Sequence, residues 1–268
     1  MEFPGATARR ADAAYVVVGA PLDVSTTFQP GTRFGPRRIR TYAEPYDNYD
    51  RHTDRRFTSL SVADAGDIRA WDDPVEYLEY LGGELSDVVR EGAVPLLLGG
   101  EHTVAIAGVR AVEPDVYVCL DAHLDLREAY DGNPWSHACT TRRVLETADE
   151  AVILGARTGS AGEWSRAEGA DVTVVPPAEV EEWTPAFDAD ASVYLSVDVD
   201  AADPSVAPGT GTMEPFGLQP TALRDVVREV GPAASGFDVV EVNDRDDGQA
   251  AALAGKLLRE FVCAHAAR

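Results

Sequence analysis

Lysine is almost missing from this chain: of 23 basic residues only Lys256 is lysine, and the other 22 are arginine. Base of either kind is outnumbered by 46 Asp and Glu, which leaves a formal charge of −23 over 268 residues. Such a charge repels nucleic acid and anionic membrane surfaces, so neither is expected as a partner. No apolar run reaches 18 residues, which excludes a membrane-spanning helix. The N-terminus, Met1 to Arg10, lacks the charged-then-apolar layout of a signal peptide. Cysteine is sparse too. Cys119, Cys139 and Cys263 are odd in number and irregularly spaced, so free thiols in a reducing cytoplasm are expected. The acid is spread along the chain rather than gathered in a tail. A dispersed acidic, lysine-poor surface resembles that of proteins from salt-accumulating (halophilic) cells. There, molar salt shortens the screening length to about 3 Å and like charges repel little. An acidic protein from a GC-rich mesophile is the alternative.

What is present is organised around Leu120 to Arg127, Leu-Asp-Ala-His-Leu-Asp-Leu-Arg, which follows the apolar run Val116-Tyr117-Val118-Cys119. A buried strand is predicted to end there, with Asp121, His123 and Asp125 following at every second position. In extended backbone alternate side chains share one side, so the three can converge beyond the sheet edge. Two carboxylates and an imidazole suit Mn, Zn or Fe(II). Taken alone, the triplet reads equally as a helix cap or solvated turn. Its spacing is cheap in a chain with 26 Asp. Asp50-Arg51-His52-Thr53-Asp54 repeats it, and Asp-x-Asp recurs at 188/190, 198/200 and 244/246. Residues 42 to 56 carry no apolar run, so 50 to 54 is expected to be a solvated loop.

A strand is predicted at Tyr15 to Gly19. The turn-rich Gln29 to Pro36 then leads into a helix over Arg37 to Tyr42, with Pro36 in its first turn. Leu60 to Asp64 reads as the second strand. Asp73 as N-cap and Pro74 open a helix whose Tyr77, Leu78, Leu81, Leu85, Val88 and Val89 keep helical spacing. Gly82-Gly83 weakens it, since glycine costs about 1 kcal/mol against alanine in a helix. Further strands are predicted at 94–98, 115–120, 151–155, 171–175, 192–198 and 236–241. Further helices are predicted at 103–112, 139–148, 160–168, 178–183, 220–230 and 248–265. This alternation predicts an α/β fold with right-handed crossovers and a mostly parallel sheet of about eight strands, covered on both faces. No linker or repeat divides the chain, so one domain over 1–268 is expected.

Sites in such sheets form beyond the carboxyl ends of strands. His102 follows 94–98, Asp121, His123 and Asp125 follow 115–120, Asp198 and Asp200 follow 192–197, and Glu241 ends 236–241. Of five histidines, His102, His123 and His137 fall in these loops, whereas His52 reads as a surface-loop residue and His265 as a frayed terminus. Seven donors at one sheet edge favour the metal reading over the capping one.

These residues also carry a family resemblance. Gly99-Gly100-Glu101-His102, Asp121-Ala-His-Leu-Asp125, Ser136-His137 and Ser196-Val-Asp198-Val-Asp200 resemble the signatures of the ureohydrolases, the arginases, agmatinases and their relatives. Gly31 to Pro36, Ala207 to Leu218 and Asp238-Val-Val-Glu241-Val-Asn243 are closer to the agmatinase branch. The matches run from about Gly19 to Asp247 in the family's order. The resemblance implies a three-layer α/β/α fold and two Mn²⁺ per subunit, with Co²⁺ or Ni²⁺ as alternatives. His102, Asp121, Asp125 and Asp198 would hold one ion, and His123, Asp121, Asp198 and Asp200 the other. His137 matches the family's proton-shuttling histidine and Glu241 its guanidinium-anchoring carboxylate. Relatives form trimers or hexamers, so a homo-oligomer is expected.

The chemistry is consistent with that reading. Guanidinium is a poor electrophile, and two metals sharing a water supply hydroxide near neutral pH. Four Asp roughly neutralise two divalent ions and leave room for a small cationic guanidino substrate, with Glu241 as a matched acceptor. The leaving amine would gain its proton through Asp125 and His137. The expected reaction is agmatine to putrescine and urea. Aminopropylagmatine, guanidinobutyrate, arginine and formimidoylglutamate are alternatives, and an arginine-rich pocket wall would favour the anionic ones. A non-catalytic family member and a one-zinc deacetylase-type hydrolase are the competing classes. The chain departs from the family at Glu101, where many members have Asp, at Ala138 after His137, and at the acidic Asp244 to Asp247. The loop Asp131 to Ser136 lacks the arginase pattern for an amino-acid carboxylate. Its Trp135 reads as packing on its own domain, with flanking of the substrate's methylenes as the alternative.

Overall fold

The computed structural model describes residues 1–188 and 190–268. Its strands, in chain order, are β1 Tyr15–Ala20, β2 Tyr49–Asp50, β3 Arg55–Arg56, β4 Val62–Asp67, β5 Val94–Gly99, β6 Val116–Leu120, β7 Glu150–Leu154, β8 Val172–Val175, β9 Val193–Asp198 and β10 Ala234–Val240. Eight of them make one sheet in the order β4-β1-β5-β10-β9-β6-β7-β8, and every pairing in it is parallel. The helices are α1 Gly35–Tyr42, α2 Pro74–Arg90, α3 Ala105–Val112, α4 Thr140–Val144, α5 Ala161–Ala167, α6 Pro220–Val230 and α7 Gln249–His265.

Period-two alternation divides the strand side chains between two cores. Tyr15, Val17, Leu96, Leu98, Val118, Leu195 and Phe237 face one way and meet Ile39 of α1, Leu223 of α6 and Leu258 of α7. Val16, Val18, Leu97, Tyr117, Cys119 and Tyr194 face the other and meet Leu81 of α2 and Ile106 of α3. Burial on both faces explains why the strands read as continuous apolar runs, and it gives the expected three-layer α/β/α arrangement. A buried arginine, Arg40, ties α1 to β4 through the buried side chain of Asp64 and exposed Asp67. Arg40 forks onto Asp64 at 2.7 and 2.9 Å and reaches Asp67 at 2.5 Å. Gly19 makes room for this, since a Cβ there would lie 1.9 Å from Asp67 Oδ1.

Asp73 caps α2 through Val75 and Glu76, and the helix runs unbroken through Gly82-Gly83. The second strand lies later than predicted, at 62–67, because Leu60 closes a 3-10 turn over Phe57–Ser59 and Ser61 takes φ 55°. The helix predicted over 178–183 is a 3-10 helix, Pro177–Glu182. That predicted over 139–148 shrinks to α4 behind a 3-10 turn, His137–Cys139. Residues 42–56 include the small β2–β3 ladder, yet Asp50 only closes a turn onto Thr53 and His52 is exposed. His265 is no frayed terminus: it is buried, with Nδ1 2.7 Å from the Tyr15 hydroxyl. Among the described residues no helix is long and apolar enough to cross a membrane.

Candidate metal centre and substrate pocket

Four adjacent strands, β5, β10, β9 and β6, deliver the candidate residues to one sheet edge. His102 lies just beyond β5, Asp121 to Asp125 beyond β6, Asp200 beyond β9 and Glu241 beyond β10, while Asp198 is the last residue of β9. The residues after β6 do not converge by the extended alternation expected from sequence. Asp121 Oδ1 instead accepts from His123 N at 2.7 Å, closing a tight side-chain turn. Asp198 Oδ1 does the same with Asp200 N at 2.8 Å. Two matching turns on neighbouring strands therefore bring the next ligand back over the first. Asp125 and Glu241 are non-glycine residues with φ of 49° and 61°, backbone conformations kept where the surroundings over-determine them.

The six predicted ligands fall into two groups. His102 Nδ1 lies 3.1 Å from Asp121, 3.0 Å from Asp125 and 3.6 Å from Asp198. His123 Nδ1 lies 3.0 Å from Asp200 and 3.5 Å from Asp121. Asp121, His123 and Asp200 each offer a donor atom within 4.8 Å of the others. Cys119 also lies near His102 and Asp121, at 3.8 and 3.9 Å, but on the Nε2 side of the imidazole. Burial pushes its thiol up to about 12, so it stays protonated.

The charges are unbalanced. Asp121, Asp125, Asp198 and Asp200 are all buried against two imidazoles. Burial and the neighbouring Asp121 charge push Asp125 up to about 6. Burial and its three neighbouring carboxylates, Asp200, Asp121 and Glu241, push Asp198 well above the carboxylate range. Burial opposes protonation of His123, yet Asp200 and Asp121 overcome it and raise the imidazole to about 12. Hard oxygen and imidazole donors with surplus negative charge, out of water, fit divalent cations.

Glu241 sits beside this cluster with Oε1 accepting from His102 N at 2.8 Å and meeting His137 Nδ1 at 3.0 Å. His137 Nε2 faces Thr27 through Oγ1 at 3.1 Å and accepts from its backbone N at 3.2 Å. Both ring nitrogens are thus engaged, and among the described residues no hydrogen bond links His137 to Asp125, contrary to the relay expected from sequence. Burial lowers the His137 pKa, but Glu241 outweighs it and raises the group to about 9. Glu101 is wholly buried and receives Val24 N, Ser25 N and the Ser25 hydroxyl at 2.7–2.8 Å. Ser25 Oγ in turn accepts from His137 N at 2.9 Å. Glu101 therefore holds the loop against which His137 rests.

The cluster floors a cavity of about 320 Å³ whose walls include Thr27, Arg127, Tyr130, His137, Ser160 and Glu163. Its one arginine, Arg127, is 3.2 Å from buried Glu163 and stacks over Tyr130. No arginine-rich wall faces the cavity. Sequence reading missed Arg127, Tyr130 and Glu163. Arg127 sits two residues past Asp125, close enough for inspection to have found it. Glu163 is recognisable only as the N3 partner of the Ser160 cap. Trp135 is absent from the wall; it packs on the core beneath Arg110.

The Arginase family matches residues 13–264. The chain belongs to the arginase family. It is 34% identical to the N(1)-aminopropylagmatine ureohydrolase of Thermococcus kodakarensis over 96% of this chain and 92% of that protein. The agmatinase of Pyrococcus horikoshii is also 34% identical, over 96% of this chain and 93% of its own length. The crystal structure of agmatine ureohydrolase of Thermoplasma volcanium superposes with a TM-score of 0.93 at 32% identity, covering 99% of this chain and 94% of that one. Like its relatives, this arginase-family chain is a hydrolase of C–N bonds.

Proposed function

We propose that this chain is a binuclear manganese ureohydrolase that cleaves agmatine to putrescine and urea. The lack of a free arginine or lysine on the cavity wall carries the substrate assignment. Asp125, Asp198 and Asp200 are assigned to the metal ions, Glu163 adds a carboxylate, and the one arginine among the described lining residues, Arg127, is already paired to it. No free guanidinium or ammonium on that wall receives a carboxylate, and a substrate cationic at both ends needs none. The carboxylate ends of guanidinobutyrate, arginine and formimidoylglutamate do need one.

In this reading His102, Asp121, Asp125 and Asp198 would hold one ion, and His123, Asp121, Asp198 and Asp200 would hold the other. When bound, the two ions lower the pKa of water enough to supply hydroxide near neutral pH. Glu241 has Oε1 committed to His102 and His137, which leaves Oε2 to accept a guanidinium N–H. His137 holds a proton at Nδ1 against Glu241 and is the wall group placed to pass one to the departing amine.

The test is urea release by Mn-loaded protein from agmatine, aminopropylagmatine, guanidinobutyrate and arginine, with formamide release from formimidoylglutamate. Agmatine should be turned over with the highest kcat/KM. Aminopropylagmatine belongs in the panel because the Thermococcus and Pyrococcus relatives are equally similar to this chain. Preference for it would retain the chemistry and change the product. Preference for an anionic substrate would overturn the charge argument.

A further inference from the structure

Asp238 is a fully buried carboxylate that the reaction above does not use, and its hydrogen bond leads to His102 through one residue. Register places the participants. Ser196 of β9 pairs with Asp238 of β10 and with Cys119 of β6, while Tyr117 of β6 pairs with Tyr194. Period-two alternation therefore sets Tyr117, Ser196 and Asp238 on the sheet face that packs beneath α3 and carries the His102 imidazole. Ser196 Oγ donates to Asp238 Oδ1 at 2.6 Å. A hydroxyl has one proton and an ionised carboxylate has none, so that proton is committed to Asp238. Ser196 Oγ also lies 3.2 Å from His102 Nε2 and can only accept there. Nε2 therefore carries hydrogen, and the Tyr117 hydroxyl at 3.0 Å offers it a second acceptor. In the neutral imidazole that a metal ion requires, the lone pair is then on Nδ1, the nitrogen that faces Asp121, Asp125 and Asp198.

We propose that Asp238 and Ser196 are positioning residues which lock His102 in its Nε2–H tautomer, and so set the affinity of the metal position that His102 serves without touching the His123 position. The inference rests on the metal reading of the site but not on the identity of the substrate. Partners behind a ligating histidine fix its tautomer and orientation, and losing one typically costs about 10–100-fold in metal affinity.

The experiment is Mn²⁺ titration of the full-length apo-protein, with free ion read by electron paramagnetic resonance. Wild type is compared with Ser196→Ala, Ser196→Thr and Asp238→Asn. Ser196→Ala should weaken one of two ions about 10-fold, because Tyr117 remains as an acceptor. Asp238→Asn should cost more, up to about 100-fold. The new amide can donate to Ser196, which then donates to Nε2 and moves the histidine proton to Nδ1. Histidine ¹⁵N shifts in the apo-proteins, followed up to a pH at which His102 is neutral, report that tautomer change directly. Ser196→Thr, which retains the hydroxyl, should bind as wild type. Both ions at wild-type affinity in folded Ser196→Ala and Asp238→Asn would overturn the proposal. So would equal weakening of both ions with an unshifted tautomer, since that marks a packing role. Should Ser196→Ala not fold, loss of one ion in Asp238→Asn but not in Ser196→Thr supports the assignment, and equal behaviour of those two rejects it. A wild type that binds two ions yet releases no urea from any guanidino substrate would sink the agmatinase reading and leave this one to be judged by its own titration.

Discussion

Glu241→Gln isolates the anchoring carboxylate with almost no change of shape. Glu241 is 3% exposed, and Oε1 already serves His102 N at 2.8 Å and His137 Nδ1 at 3.0 Å. In the variant the amide oxygen must keep that position, because a donor there would face the His102 N–H. The NH₂ group then takes the Oε2 position and meets a guanidinium that has only donors. The change removes a charge-assisted hydrogen bond worth about 1.5–3 kcal/mol and leaves a donor opposed by a donor. Together they come to about 3 kcal/mol, or roughly 100-fold in kcat/KM. Uniform loss of binding would appear mainly in KM, whereas anchoring felt only during reaction would appear in kcat. The assay is urea release over a full agmatine range, beside circular dichroism and metal stoichiometry. A folded variant with two ions whose kcat/KM falls less than about fivefold would refute the anchoring role.

Three further outcomes test the fold and surface. Gly83→Ala should raise stability by about 0.5–1 kcal/mol in chemical denaturation, since Gly83 sits mid-α2, exposed, with no atom within 4 Å of a new Cβ; a lower midpoint would contradict this helix-propensity accounting. Burial, then the Arg268 charge, lowers His265 to about 4 from its ordinary 6.5. The unfolded chain therefore binds the extra proton between those values, and stability present above pH 6.5 is lost as pH falls toward 4. From pH 7 to 5 this group should cost roughly 1–2 kcal/mol after allowance for screening, and His265→Gln should shrink the pH slope by that amount; parallel slopes would reject it. With a net charge of −23, the thermal midpoint should rise between 0.1 and 2 M KCl, and a midpoint that falls or stays flat would count against the halophilic reading.

The sheet was legible because parallel strands buried on both faces leave apolar runs that no solvated segment imitates. The second strand was misplaced for a local reason. Leu60 and Ser61 supply apolar and β-permissive residues, yet a 3-10 turn and a left-handed Ser61 spend them before pairing begins at Val62. The loops holding the candidate residues were legible because each follows such a run. The reason offered for their convergence was incomplete: side-chain turns at Asp121 and Asp198 gather the donors after their strands end. Trp135 packs on its own domain, as read from the sequence. The wall position of Glu163 and the burial of His265 were beyond reading, because their surroundings come from Arg127 and Tyr15, 36 and 250 residues away in the chain, and no local pattern encodes such pairings.

The same abundance of aspartate yields both the decoy and the centre, and burial separates them. Asp50 resolves its charge with Thr53 and solvent, so Asp-x-His-x-Asp at 50–54 is stable as it stands. Asp121, Asp125, Asp198 and Asp200 lie buried at the carboxyl edge of two adjacent strands, β6 and β9, with only the His102 and His123 imidazoles among them. Buried carboxylates in that number either take up protons or take up cations. Arg40 shows how the fold treats a buried acid it means to neutralise itself, forking onto Asp64. Among the described residues no arginine forms an ion pair with Asp121, Asp125, Asp198 or Asp200; Arg157 reaches only the Asp200 backbone carbonyl, and Arg127 on the cavity wall is turned to Glu163. The chain thus supplies its own counter-charge at the structural acid and withholds it at the candidate centre. That selective omission, in a protein with 22 arginines available, is what a site built for bound cations requires.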